Sequence, residues 1–156
     1  MKRSYDTLQQ PELTIFFLDR GLGSKQLAGE LERSGFIVRV HDDYFKRDEA
    51  DDVWLASCGQ RRWVVITPDR RILKNPRSMM AIGANKSRVF FLPKNNKNPQ
   101  IWAPILISCW NEMNKILASA QAPFVGHISP SGVWGIIELS SRGTEKKKPK
   151  RRKPSA

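Results

Sequence analysis

The sequence predicts an α/β fold. Three observations carry that expectation. Four short apolar runs, rich in β-branched and aromatic residues, recur along the first 92 positions. Segments with helical apolar spacing separate them. Some of the runs are almost continuously apolar, as strands of a parallel sheet buried on both faces should be.

Leu13 to Leu18 (LTIFFL), bounded by Pro11 and by Gly21 and Gly23, reads as the first strand, with Asp19 at its carboxyl end. Ser24 can cap a helix running to about Ser34, with Leu27, Ala28 and Leu31 on one face and Gly35 as its stop. Phe36 to Val40 (FIVRV) follows as a strand, so strand, helix and strand succeed one another in under 30 residues. A right-handed crossover between parallel strands is the simplest packing for such a unit. The polar loop from His41 to Ala50 leads to a helix over about Asp51 to Gln60, with Asp51 or Asp52 suited to cap it and Val53, Trp54 and Leu55 beginning its apolar side. Trp63 to Thr67 (WVVIT) is the third strand. Pro76 opens a helix near Arg77 to Ala84, and Arg88 to Leu92 (RVFFL) is the fourth strand. After the polar loop Lys94 to Pro99, residues 101 to 118 show helical spacing, with Pro104 tolerated in the first turn. Pro123 to Ile128 and Val133 to Leu139 read as a hairpin.

The expected organisation is one domain over residues 1 to 141, its core at 13 to 92 and an added helix and hairpin at 101 to 139. Residues 142 to 156, with TEKKKPKRRKP, read as a disordered basic tail. No apolar run approaches the roughly 20 residues of a bilayer span, and Met1-Lys2-Arg3 is followed by polar residues where a signal peptide needs an apolar core. Cys58 and Cys109 form no C-x-x-C pattern and suit two reduced thiols, so a cytoplasmic location is expected.

Net charge is +12, and its distribution is uneven. Residues 1 to 69 sum to −2 and contain all eight aspartates, whereas residues 70 to 156 sum to +14. Such a division suits carboxylates that hold a cation beside a surface that attracts a polyanion. In an open α/β sheet, sites form beyond the carboxyl ends of the strands. Asp19, Asp51 and Asp69 fall there. Three gathered carboxylates repel unless a cation neutralises them, and oxygen-only donors favour Mg²⁺ or Mn²⁺. Arg20, Arg70, Arg71 and Lys74 stand beside them as candidate phosphate contacts, and Arg20 is also a candidate partner for Asp19.

Plainer readings exist for several of these residues. Asp51 or Asp52 suits a helix cap as well as a ligand, and Asp69 in TPDRR suits a turn. Asp42, Asp43 and Asp48 read as loop residues. His41 and His127 form no metal-binding pattern and read as packed or exposed. Gly21-Leu22-Gly23-Ser24 lacks the remaining features of a phosphate-binding glycine turn. Trp54, Trp63, Trp102 and Trp110 read mostly as core.

FFLDRGLGSKQLAGELERSGFIVRVHDD, then DDVWL, then RRWVVITPDRRI together resemble the PIN-like nucleases, in particular the VapC-like toxins of bacterial toxin-antitoxin modules. The likeness covers about residues 13 to 92. It implies a Rossmann-like three-layer α/β/α fold with a mainly parallel central sheet, and Mg²⁺- or Mn²⁺-dependent RNA cleavage. Asp19 matches the acid ending the first strand, Asp51 the acid three positions before Trp54-Leu55, and Asp69 the acid of the T-x-D segment. The resemblance makes these three the catalytic and metal-holding residues. The chain departs from the pattern in having Arg70, Arg71 and Ile72 where related sequences often carry another acid, and in lacking a clear mid-domain glutamate, Glu30 being on the first helix.

The expected function is a metal-dependent endoribonuclease of toxin type. Its expected partners are RNA, a cognate antitoxin and a second copy of the chain, with no membrane. The alternatives are a nucleic-acid-binding PIN-like protein without turnover, and a protein-interaction partner whose tail docks an acidic antitoxin.

Overall fold

A computed structural model describes residues 13–20, 24–93 and 99–146. Gly21-Leu22-Gly23, residues 94–98 and the basic run from 147 onward lie outside these residues. β1 (Ile15–Leu18), α1 (Ser24–Arg33), β2 (Ile37–Val40), α2 (Asp51–Gln60), β3 (Val64–Thr67), α3 (Pro76–Ala84) and β4 (Arg88–Phe91) alternate as the apolar pattern requires. α4 (Pro99–Ser108), α5 (Trp110–Ser119), β5 (Phe124–Ser129) and β6 (Gly132–Glu138) complete the domain. The six strands form one sheet in the order β2-β1-β3-β4-β5-β6, parallel throughout except for the β5–β6 hairpin.

Alternate strand residues separate into two cores. Phe16, Leu18, Val64, Ile66 and Phe90 pack with Leu27 and Leu31 of α1, Trp102 and Leu106 of α4 and Met113 of α5. Phe17, Val65, Val89, Phe91 and Val125 pack with Trp54, Leu55 and Cys58 of α2 and Ile82 of α3. The result is the three-layer α/β/α arrangement. Its strand order reverses between β1 and β3, where the chain leaves β1 for β2 on one side and returns to β3 on the other. A crevice is expected at that reversal, beyond the carboxyl ends of the two strands.

Several elements differ from the expectations drawn from sequence. Residues 101 to 118 do not make one helix. Ser108 Oγ bonds back to Ile105 O at 2.9 Å, Cys109 Sγ reaches Ser129 O at 3.5 Å, and the helix breaks at Cys109 between α4 and α5. Side-chain competition for a helical carbonyl favours such a bend. With α4 starting at Pro99, Pro104 stands in the second turn. Val53 is exposed, so the buried side of α2 runs through Trp54, Leu55, Cys58 and Gly59. A short 3₁₀ turn, His41–Asp43, lies in the stretch read as loop, and a second, Arg70–Lys74, follows β3. Both cysteines are free and buried.

The stretch from Arg142 to Lys146, read as the start of a disordered tail, is tied to the domain although only Gly143 in it is buried. Lys146 N donates to Glu138 O at 3.0 Å, and Ser140 N to Thr144 O at 2.7 Å. Gly143, at φ +81°, is buried against Met79 and Gly83 of α3, where a Cβ on either glycine would overlap backbone. Among the described residues no helix is long and apolar enough to cross a membrane.

Candidate active site

The sheet reversal positions Asp19 and Thr67 side by side. The β1–β3 ladder continues one step past Leu18, because Asp19 N donates to Ile66 O at 3.1 Å. Asp19 is only 4% exposed, on the α2–α3 side of the sheet. Thr67 Oγ1 donates to Asp19 Oδ2 at 2.7 Å and accepts from Asp69 N at 3.0 Å, so one hydroxyl couples the two acidic positions. The other carboxylate oxygen, Asp19 Oδ1, accepts from Arg20 N at 2.7 Å.

The Arg20 side chain is not the direct partner of Asp19. Its Nη2 donates to Asp51 Oδ1 at 3.0 Å and its Nη1 to Glu49 O at 2.7 Å. His41, fully buried, receives Arg20 Nη1 on Nε2 at 3.1 Å and turns Nδ1 toward Asp42 Oδ1 at 3.1 Å. These contacts select the tautomer with its proton on Nδ1. Asp51 does not cap α2: Ala50 is the N-cap, without a side-chain bond. Asp51 Oδ1 instead accepts Trp54 Nε1 at 3.0 Å, which fixes the carboxylate toward Arg20.

Asp69 lies at the rim. It caps the following 3₁₀ turn by accepting Arg71 N at 3.1 Å on Oδ1, and Arg71 clamps both oxygens through Nε at 2.9 Å and Nη2 at 3.0 Å. The turn reading of Asp69 therefore holds together with its position at the site. Lys74 and Arg70 share with Pro68, Asp69 and Arg71 an open hollow of about 260 Å³. Asp42, Asp43 and Asp48 are exposed, and Glu30 lies on α1, against the opposite face of the sheet.

The two acids at the strand ends titrate differently. Burial raises the Asp19 pKa to about 6, against the lowering effects of the Thr67 hydroxyl and of Arg20, and the negative charge of Asp51 adds to the rise. Asp69 is held below the ordinary range, chiefly by its hydrogen bond from Arg71. The charge of Arg20 also acts on Asp69, and that of Arg71 on Asp51 and Asp19, so the three acids share one electrostatic neighbourhood.

The α/β/α sheet thus reverses between β1 and β3, with acids beyond both strand ends and at the start of α2. A PIN-like domain model matches residues 14–94, more than half of the chain. The chain belongs to the PIN-like domain family. PIN domains are in general nucleases that use divalent metal ions. The match is to the PIN-like domain as such and does not single out VapC-like toxins. No curated protein and no solved structure matches the chain.

The donor chemistry of this PIN-like site fits a hard divalent ion. Among the described residues no cationic side chain bonds directly to the buried Asp19 carboxylate, and a buried anion favours a cation beside it. Asp51 and Asp69 offer oxygen donors of the same kind, but Arg20 and Arg71 engage them. Among the described residues no three His, Cys, Asp or Glu side chains stand close enough to hold one ion. Of the two arginines Arg71 is the freer, with 90% of its side chain exposed against 29% for Arg20.

Sequence reasoning missed the part played by Thr67 and His41. T-x-D does contain a signal for Thr67, since a threonine two positions before an aspartate can accept that residue's amide. His41 carries no signal for its contact with the site, because Arg20, which it meets there, lies 21 positions away.

Proposed function

We propose that this PIN-like protein is a metal-dependent endoribonuclease, the toxin of a toxin-antitoxin module. The observation that carries the reading is the buried Asp19 carboxylate at the β1/β3 reversal, coupled through Thr67 to Asp69 and electrostatically to Asp51. Asp19, Asp51 and Asp69 would hold Mg²⁺ or Mn²⁺, which when bound supplies an acidified water and charge stabilisation at phosphorus. Thr67 orients Asp19 and the Asp69 backbone together. Trp54 and Arg20 orient Asp51. Arg70, Arg71 and Lys74 give the phosphates flanking the scissile bond a cationic surface, with Arg71 exchanging Asp69 for phosphate as the substrate arrives. Arg20, bound on three sides, acts by positioning and by its charge.

The test is cleavage of single-stranded RNA by the purified chain in Mn²⁺, Mg²⁺ or EDTA, with Asp19→Asn alongside. Wild type should cleave only with metal, and Asp19→Asn should lose roughly 100-fold or more in rate while still binding RNA. A toxin should also arrest growth when expressed in a bacterial host, and its Asp19→Asn variant should not. Co-purification with the product of a neighbouring small reading frame would supply the antitoxin partner.

One observation favours a second reading, a nucleic-acid-binding PIN-like protein without turnover. Arg20 and Arg71 already neutralise Asp51 and Asp69, and no three-residue metal group exists among the described residues. Wild type that binds RNA yet stays inert with both metals would establish that reading and end the first.

A further inference from the structure

The row of side chains that starts at Asp19 continues across the sheet to its edge. Thr67 pairs with Phe91, Phe91 with His127, and His127 with Trp134 in successive strand registers. From β3 to β6 that is three strand spacings, about 14 Å. The last three members form an aromatic series. The Phe91 and His127 ring centroids are 5.6 Å apart at 31°, and those of His127 and Trp134 are 4.3 Å apart at 17°.

Trp134 is 52% exposed although one face of its indole lies flat on His127. The opposite face is therefore the one open to solvent. Gly135, at φ +64°, leaves room for this stack: a Cβ there would stand 3.1 Å from His127 Cδ2. Burial, and then the charge of Arg70, lower the His127 pKa. Arg70 belongs to the same cationic turn as Arg71 and Lys74, and its buried Nε has no hydrogen-bond partner among the described residues. An open aromatic face next to a cationic turn is the combination used to bind unpaired nucleotides, with the base on the ring and the phosphates on the cations.

We infer that Trp134, backed by His127, is a stacking platform for one unpaired base of a single-stranded nucleic acid whose backbone runs over Arg70, Arg71 and Lys74 toward Asp19. The inference rests on the proposed nuclease reading for the direction of the strand and sharpens its substrate class. A base within a duplex has both faces covered and cannot use the platform.

The experiment measures binding of labelled single-stranded oligo(A) RNA, and of an RNA duplex of equal length, to wild type, Trp134→Ala and Trp134→Phe in EDTA at two salt concentrations. Trp134→Ala should weaken single-strand binding roughly tenfold, with its salt dependence and its duplex binding unchanged, because stacking releases no counterions. Trp134→Phe should restore most of the loss. Single-strand binding of Trp134→Ala equal to wild type overturns the platform, as does an equal loss for duplex and single strand. Light scattering on the same samples guards against another occupant: a change of oligomeric state in Trp134→Ala with RNA binding intact assigns the indole to a protein interface and also overturns it. The binding arm needs no turnover. Normal cleavage with Mn²⁺ beside an unaffected Trp134→Ala ends the platform alone, and a confirmed platform on a chain inert with metal ends the nuclease reading alone.

Discussion

The floor and the rim of the site are one strand apart and behave as opposites. Asp19 closes β1 on the floor, 4% exposed, with its pKa raised to about 6. Asp69, two residues past the end of β3, sits at the rim with its pKa lowered by Arg71. Both are aspartates following apolar strands, and Thr67 touches both. The difference shows that solvent and the position of the cation decide the titration: desolvation dominates where no guanidinium touches the carboxylate, and hydrogen bonding dominates where one does. It also separates their tasks. In the proposed reading the buried acid would gain from a cation beside it, whereas the clamped one would become available only on release of its arginine.

Substitution at the floor should have the largest effect. A raised carboxylate pKa means that the folded state holds its proton more tightly than the unfolded chain, so the cost of the buried charge is present above pH 6 and relieved as pH falls toward 4. Asp19→Asn should therefore raise stability at pH 7 by up to about 3 kcal/mol. Denaturant titrations across pH 4 to 7 should also show that the difference between wild type and variant shrinks on acidification. An equal difference at pH 4 and pH 7 would mean that Asp19 is not the titrating group, and the contrast between floor and rim would fail.

Removing the shared hydroxyl comes next. Thr67→Val leaves Asp19 Oδ2 and the Asp69 amide without their partner, at a cost of about 1–3 kcal/mol, and should push the Asp19 pKa further up. Carboxyl NMR of Asp19 reads that shift directly. An unmoved Asp19 resonance would show that the Thr67 hydroxyl does not act on its titration.

Arg20→Met keeps much of the side-chain volume but removes the bonds to Asp51 and Glu49 O. A loss of roughly 1–2 kcal/mol is expected, below the cost of breaking a fully buried pair because both side chains are about a quarter exposed. The Asp19 pKa should rise with it. Arg71→Ala should have the smallest effect on stability, none that a denaturant curve resolves, since the arginine is exposed. Its readout is Asp69, whose titration should return upward toward the ordinary aspartate range. Should Asp69 stay depressed, the clamp is not what separates rim from floor.

Much of this site was legible along the chain, and the reason is local. Asp19 and Asp69 follow strands whose apolar runs are unmistakable, so strand assignment alone carries both to the same end of a parallel sheet. Asp51 was found through the helix start, though its suggested capping role gave way to Trp54 and Arg20, both of which reach its Oδ1. That exchange is not a matter of propensity: Arg20 is 31 positions away, and the crossover topology alone brings them together. Trp134 was likewise invisible as a site residue, because one tryptophan in an edge strand looks like any other until the hairpin register stacks it on His127.

Apolar periodicity, capping residues and turn chemistry are short-range properties, and for that reason the amino-acid order by itself determined the α/β alternation, the element boundaries to within a few residues and the end of the sheet where the acids gather. Which charge meets which carboxylate, how far Asp19 is removed from water, and that residues 142–146 fold back onto α3 depend on contacts between distant segments. Those were decided by the tertiary structure alone, since burial and Coulomb interaction act through space and leave no periodic trace in the chain.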